Sequence, residues 1–234
     1  MYKRVLLKLS GEQLSGKFEG GFDSELAAWI GAELKKVVAS GTQVVVMVGG
    51  GNYARGAQLA GHGIGRVTAD NIGMLATIMN AVALADVFNA NGVTSRALSI
   101  VKAEQIADLF THRRAISDLE KGHVVIAAGG TGRPYVTTDT AALSFALELE
   151  CDVVLKATKV DGVYDKDPAK FNDAKKVPTL SFQDAVADSA IQVMDKAALG
   201  LAMEYKMPVI VFDALTENNI AKAAAGEAVG TKIG

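Results

Sequence analysis

The chain has 234 residues, 50% of them hydrophobic, enough to bury a full core as one large domain or two closely joined lobes. Lys+Arg 24 against Asp+Glu 26 leave a formal charge of -2, and no basic run is long enough to track a nucleic-acid backbone, so no nucleic-acid partner is expected. The single cysteine, Cys151, rules out an internal disulfide and fits a reducing cytoplasm; Lys8 interrupts the first apolar run far short of a signal peptide, and no run reads as long enough to cross a membrane.

In chain order, an apolar strand over 5–9 ends in the first glycine turn, Lys8-Leu9-Ser10-Gly11-Glu12, with a lysine at the strand's end. Asp23 or Ser24 caps a helix whose apolar residues Leu26, Ile30, Leu34 and Val37 recur at helical spacing and stop before Gly41. A second strand, 43–48, opens into Gly49-Gly50-Gly51-Asn52. With Tyr53 and Ala54 this turn satisfies G-x-G-x-x-A, and Asp70 follows about twenty residues on, as a dinucleotide fold requires. The segment 57–69 has no strand-like run to end at that acid, however, and Asp70 reads instead as the opening of a long helix carrying Ile72, Leu75, Met79 and Val82 on one face. Arg55, one helical turn past the glycines, suits a phosphate and equally a solvated helix face.

Strands follow at 93–98 and 123–128, and the second opens into Gly129-Gly130-Thr131-Gly132-Arg133-Pro134. Thr137 or Thr138 caps a helix from Thr140 onward, aiming its positive dipole end at any anion in this turn. Cys151 opens a strand over 152–157 as a small buried hydrophobe, and a polar exit with a central Tyr164 runs from Thr158 to Pro168. A last strand is expected at 208–212. Strands alternating with helices predict a mostly parallel sheet covered on both sides, with a soft lobe boundary near residue 150. Glycine turns at the carboxyl ends of parallel strands are where such sheets hold phosphates; no G-x-x-x-x-G-K-[ST] loop occurs, so the anion site is of another kind.

Taken together, the KLSGE turn, Gly49 to Gly56, Ala69 to Thr77 with Met79 and Asn80, Thr131 to Asp139, Leu155 to Pro168 and Val193 to Ala198 resemble, in order and over essentially the whole chain, the bacterial uridylate kinases of the amino acid kinase superfamily. The resemblance implies a three-layer αβα sandwich, an amino acid kinase fold spanning residues 1–234, with an acceptor lobe over 1–150 and an ATP lobe over 151–234. It also implies Mg²⁺- and ATP-dependent phosphorylation of UMP to UDP in pyrimidine biosynthesis, a cytoplasmic homohexamer, inhibition by UTP and activation by GTP. The loop Gly16 to Asp23 departs from the family's G-x-x-G-F-G-x-D pattern, a departure that bears on GTP activation more than on catalysis.

By position, the resemblance implies ATP phosphates against Lys8, Leu9, Ser10 and Gly11 with Gly51 and Arg55 close by, and the ATP base and ribose near Thr158, Tyr164 and Asp167. UMP is expected against Gly50, Asp70, Thr131, Gly132, Arg133, Pro134, Tyr135, Val136, Thr137 and Thr138. Chemistry agrees. A nucleoside monophosphate has a second pKa near ~6, so its attacking oxygen needs no general base; the need is for cations and aimed N–H donors. Lys8 is the expected cation, and Asp139 and Asp195 either orient it, hold Mg²⁺ through water, or cap helices. A kinase of a carboxylate or carbamate, a non-catalytic nucleotide sensor or storage protein, and a dinucleotide oxidoreductase are the alternatives.

Overall fold

The computed structural model describes residues 1–54, 59, 63–166, 170–187 and 193–234. Its first half runs β1 (Arg4–Leu9), α1 (Gly11–Leu14), α2 (Ser24–Ala39), β2 (Gln43–Val48), α3 (Arg66–Ala90), β3 (Ser95–Ser99), β4 (Asp108–Leu109), α4 (His112–Glu120), β5 (Val124–Ala128) and α5 (Thr138–Glu148). The second half continues with β6 (Val153–Thr158), β7 (Val163–Tyr164), β8 (Lys176–Val177), β9 (Thr179–Leu180), α6 (Phe182–Ala187), α7 (Lys196–Glu204), β10 (Val209–Asp213), α8 (Asn219–Ala225) and β11 (Thr231–Ile233).

Among the described residues, nine strands form one sheet in the order β4-β3-β5-β2-β1-β6-β10-β11-β9. All pairings in it are parallel except β10 with β11. Residue 150 falls between α5 and β6, so the first half of the chain supplies one side of the sheet and the second half the other, joined where β1 pairs with β6. The buried runs of the central strands are the near-continuous apolar sequences of a sheet covered on both faces.

Strand periodicity then sorts the core. Val5, Leu7 and Leu9 pack into the cluster that includes Ile30 and Leu34 of α2 and Leu84 and Phe88 of α3. Leu6, between them, points to the opposite layer with Leu143 and Phe145 of α5 and Leu199 of α7. The fold is thus a three-layer α/β sandwich. Lys8 shares a face with Leu6, and Lys156 shares one with Val154; both lysines therefore leave the sheet towards α5.

Two readings of α3 are corrected. The helix begins at Arg66, with Gly65 as its cap, so Asp70 stands in its second turn and is bonded by Arg66 one turn earlier. The helix is also 25 residues long with a mean hydropathy of 1.5 over its most apolar window, so one run does have the length and composition to cross a membrane. Here it packs on the sheet: Ala76, Ile78, Ala81, Leu84 and Phe88 are buried, and Asn80 is fully buried with its side chain bonded to the Gly49 carbonyl. Asp23 caps α2 through the N–H groups of Glu25 and Leu26, and Thr137 caps α5 through those of Asp139 and Thr140.

Candidate functional site

The first two glycine turns meet at the carboxyl ends of β1 and β2. Gly49 donates its N–H to the Leu9 carbonyl at 3.0 Å. A Cβ on Gly11 would fall 2.5 Å from Gly51 N and 2.7 Å from Gly49 O, so only glycine lets these backbones pass. Gly50 is equally constrained on its other side, where a Cβ would sit 2.7 Å from Ala76 Cβ of α3. Asn80 joins the group: its amide donates to Gly49 O and exchanges hydrogen bonds with Asn52.

The third turn closes against the same helix. Thr77 accepts from the Gly129 N–H at 2.8 Å, and the Asp70 carboxylate accepts from the Tyr135 N–H. Tyr135 adopts φ 65° without being glycine, and its ring lies under the Arg66 guanidinium, 5.0 Å from it. Burial would raise the Asp70 pKa, but the Tyr135 N–H and the Arg66 charge outweigh it and hold the carboxyl below its ordinary value. Between these elements lies a cavity of about 140 Å³ lined by Gly50, Asp70, Met74, Arg133, Val136 and Thr138, among others. Beside it, the Thr131 hydroxyl is buried with no hydrogen-bond partner among the described residues. A small anion-bearing molecule in the cavity would find a guanidinium, a carboxylate, a hydroxyl and the dipole of α5.

A second, larger and more polar space of about 590 Å³ lies on the other side of Gly51, where Glu12, Asn52, Tyr53 and Lys159 also line it. The two spaces share Ala54. Next in sequence to Thr138 of the first cavity, Asp139 has its Oδ1 2.8 Å from Lys8 Nζ, and Lys156 Nζ donates to Asp139 Oδ2 at 2.6 Å and to the Val193 carbonyl. Burial would raise the Asp139 pKa; the two ammonium charges more than offset this and keep it ionised. Burial and the Lys8 charge push the Lys156 pKa down against the pull of Asp139. Asp195 caps α7 by accepting from the Ala198 N–H, and its carboxylate also takes the hydroxyls of Thr137 and Thr140. Of the two acids, then, Asp139 reaches Lys8, while Asp195 ties α7 to the start of α5.

The structure thus gathers Gly50, Asp70, Arg133, Val136 and Thr138 around one cavity, Gly51 beside the other, and pairs Lys8 with Asp139, the residue after Thr138. Leu9 is a core side chain, Ser10 gives its N–H to Gln13, and Gly132 and Pro134 offer backbone alone. Thr158 is bonded to the Val160 and Phe212 carbonyls at the end of β6, and Tyr164 donates to Asp161; neither lines the two cavities. Arg55 and Asp167 lie outside the described residues. Sequence reasoning passed over Lys156, Arg66, Thr77, Thr140 and Lys159. For Lys156 a signal was there: a lysine inside an apolar strand, at the same depth as Lys8 in its own strand.

The amino acid kinase family model matches residues 3–213. Among solved structures, a UMP kinase from Bacillus anthracis is 38% identical over 99% of this chain and 96% of its own, with a TM-score of 0.94. A UMP kinase from Ureaplasma parvum is 30% identical over 100% of this chain and 99% of its own, at a TM-score of 0.92. A uridylate kinase from Archaeoglobus fulgidus is 31% identical over 98% and 99%, at a TM-score of 0.75.

Proposed function

This chain belongs to the amino acid kinase family, and from that premise we propose that it transfers the γ-phosphoryl group of ATP to UMP, giving UDP and ADP. The observation that carries the reading is a cavity bearing Arg133, Asp70 and the α5 N-terminus, with Lys8 paired to Asp139 in the first turn of that same helix. UMP occupies that cavity, its phosphate towards Arg133 and the hydroxyls of Thr131 and Thr138. ATP occupies the larger space beside Gly51 and Lys159, with its base towards β6 and β10, which makes residues 1–150 the acceptor lobe and 151–234 the nucleotide lobe.

An oxygen of the UMP phosphate, already ionised at neutral pH, attacks the γ-phosphorus. The new O–P bond forms as the bond to the β,γ-bridging oxygen breaks, and ADP leaves with that electron pair. Lys8 meets the charge spreading over the transferred group, and the crossed glycine turns supply N–H donors. With their carboxylates already taken by lysines and hydroxyls, Asp139 and Asp195 would hold a Mg²⁺ that accompanies ATP through water, and the ion would supply charge neutralisation there.

The same reading includes a homohexamer in the cytoplasm. Leu75 and Met79 of α3 are more than half exposed and Ile72 and Val82 partly so, an apolar stripe that a second copy would cover. Light scattering should return six times the 24.4 kDa chain mass. UTP is proposed as an inhibitor competing at the UMP cavity. The Gly16 to Asp23 loop, where a GTP effect would be sought, folds back on α2 as the Lys17 N–H meets Asp23.

A coupled assay of ADP release with UMP, dUMP, CMP, AMP, glutamate and carbamate tests the function. UMP should be turned over far faster than the rest, because a wrong base leaves buried partners unpaired at ~1–3 kcal/mol each. Comparable turnover of CMP, or of a carboxylate, would overturn the assignment.

A further inference from the structure

Lys8 and Lys156 are register partners across the parallel β1–β6 pair, and one carboxylate, that of Asp139, stands between them. The two lysines are held unequally. Lys156 makes an aligned hydrogen bond to Oδ2 at 2.6 Å and a second bond to the Val193 carbonyl. Lys8 lies 2.8 Å from Oδ1 as an ion pair, yet Oδ1 accepts no aligned hydrogen bond among the described residues. Lys8 is thus an ion-pair partner of Asp139 that shares the carboxylate with Lys156, and Lys156 makes the additional bond to Val193.

Counting charge explains what the second lysine changes. Lys8 and Asp139 alone would form a neutral pair, poorly suited to attract a phosphoryl group. With Lys156 added, the three groups Lys8, Lys156 and Asp139 carry one net positive charge, and the aligned hydrogen bond to the carboxylate belongs to Lys156. Asp195 at the start of α7 also acts on Lys156 with its negative charge, but among the described residues it makes no ion pair with either lysine: its oxygens accept from Thr137, Thr140 and the Ala198 N–H.

We propose that Lys156 is a positioning residue for phosphoryl transfer: by taking Oδ2 of Asp139 through its own hydrogen bond, it makes Lys8 share that carboxylate and leaves Lys8 as the cation available to the transferred group. The inference rests on the kinase function proposed above.

The test measures kcat, KM for ATP and UMP, and thermal midpoint for wild type, Lys156→Met, Lys156→Arg, Asp139→Asn and the double variant Asp139→Asn/Lys156→Met. Lys156→Met should lower kcat by about 10–100-fold, with either KM changed by less than about threefold, and Lys156→Arg should recover much of the loss. In the Asp139→Asn background the same lysine substitution should cost less than about threefold, since there is no carboxylate left to restrain. A kcat within about threefold of wild type for Lys156→Met overturns the proposal, as does an equal loss in both backgrounds, which would mean that Lys156 acts on the nucleotide directly.

Should Lys156→Met fail to fold, Lys156→Gln takes its place: kcat should fall about 10–100-fold with both KM values kept within about threefold, and a kcat within about threefold of wild type overturns the proposal. Should Asp139→Asn fail to fold, the recovery of kcat in Lys156→Arg decides; an arginine variant as impaired as the neutral one overturns the proposal. Wild-type turnover of UMP checks the function separately. If another acceptor is used instead, the variant-to-wild-type ratios with that acceptor still test the lysine.

Discussion

The Asp70 carboxylate accepts the Tyr135 backbone N–H at 2.8 Å across 65 residues of sequence, and so fastens the third glycine turn to α3. Tyr135 sits at φ 65°, a left-handed conformation that costs about 1–3 kcal/mol for a residue with a Cβ and persists only where its surroundings hold it. Asp70→Ala should therefore release the turn and raise KM for UMP about tenfold or more, the loss of a hydrogen bond to a charged group being worth ~1.5–3 kcal/mol. Asp70→Asn keeps an acceptor and should fall between. Titration calorimetry with UMP checks this, and unchanged affinity in Asp70→Ala would mean that the turn holds itself.

Lys8→Ala should lower turnover by about 10² or more while UMP binding and the fold stay near wild type. The residue is not among those lining the Asp70–Arg133 cavity, which is why binding should survive. Pre-steady-state mixing with UMP and ATP, alongside UMP calorimetry, separates the two effects. A loss under about tenfold would make Lys8 a peripheral phosphate contact.

Strands β1, β2 and β5 were legible because each is an apolar run leading into a glycine turn, and the helix caps Asp23 and Thr137 because their side chains have the chemistry a helix start needs. The start of α3 was not legible. Gly65 gives no capping side chain, so the first acid, Asp70, read as the beginning when it is really the i+4 partner of Arg66. The small strands β4, β7, β8 and β9 are two residues each and leave no periodicity to detect. For Lys156 the sequence showed a lysine inside an apolar strand but not its partner: its register against Lys8 exists only once β1 and β6 pair.

Acid should unsettle the fold through Asp139. Its folded pKa lies below the ordinary carboxylate value near ~3.9, so the unfolded chain takes up this proton first as pH falls. The stabilisation is complete above that value and is lost as pH drops through the folded pKa. Asp139→Ala leaves two buried ammonium groups without their counter-charge and should cost about 3–5 kcal/mol at neutral pH. The thermal midpoint should fall by ~6–20 °C, and the variant should lose part of the wild type's steepening instability below pH ~4. Calorimetric midpoints across pH check both; identical acid profiles would place the acid sensitivity in other carboxylates.

Gly11→Ala tests whether the first two glycine turns function as a fitted pair. The new methyl would be 2.5 Å from Gly51 N and 2.7 Å from Gly49 O, both backbone atoms that cannot rotate away. One turn has to move, and overpacking of this kind costs about 1–3 kcal/mol. The displaced atoms border the larger, Gly51-lined space, whereas the acceptor cavity is lined from Gly50 onward by α3 and the third turn. KM for ATP should therefore rise by about tenfold or more, with KM for UMP changed by less than about threefold. Initial-rate measurements with each nucleotide varied in turn, together with the thermal midpoint, give the comparison. If both KM values rose equally, the distortion would be travelling through Gly50 into α3, and the three turns would have to be treated as one unit.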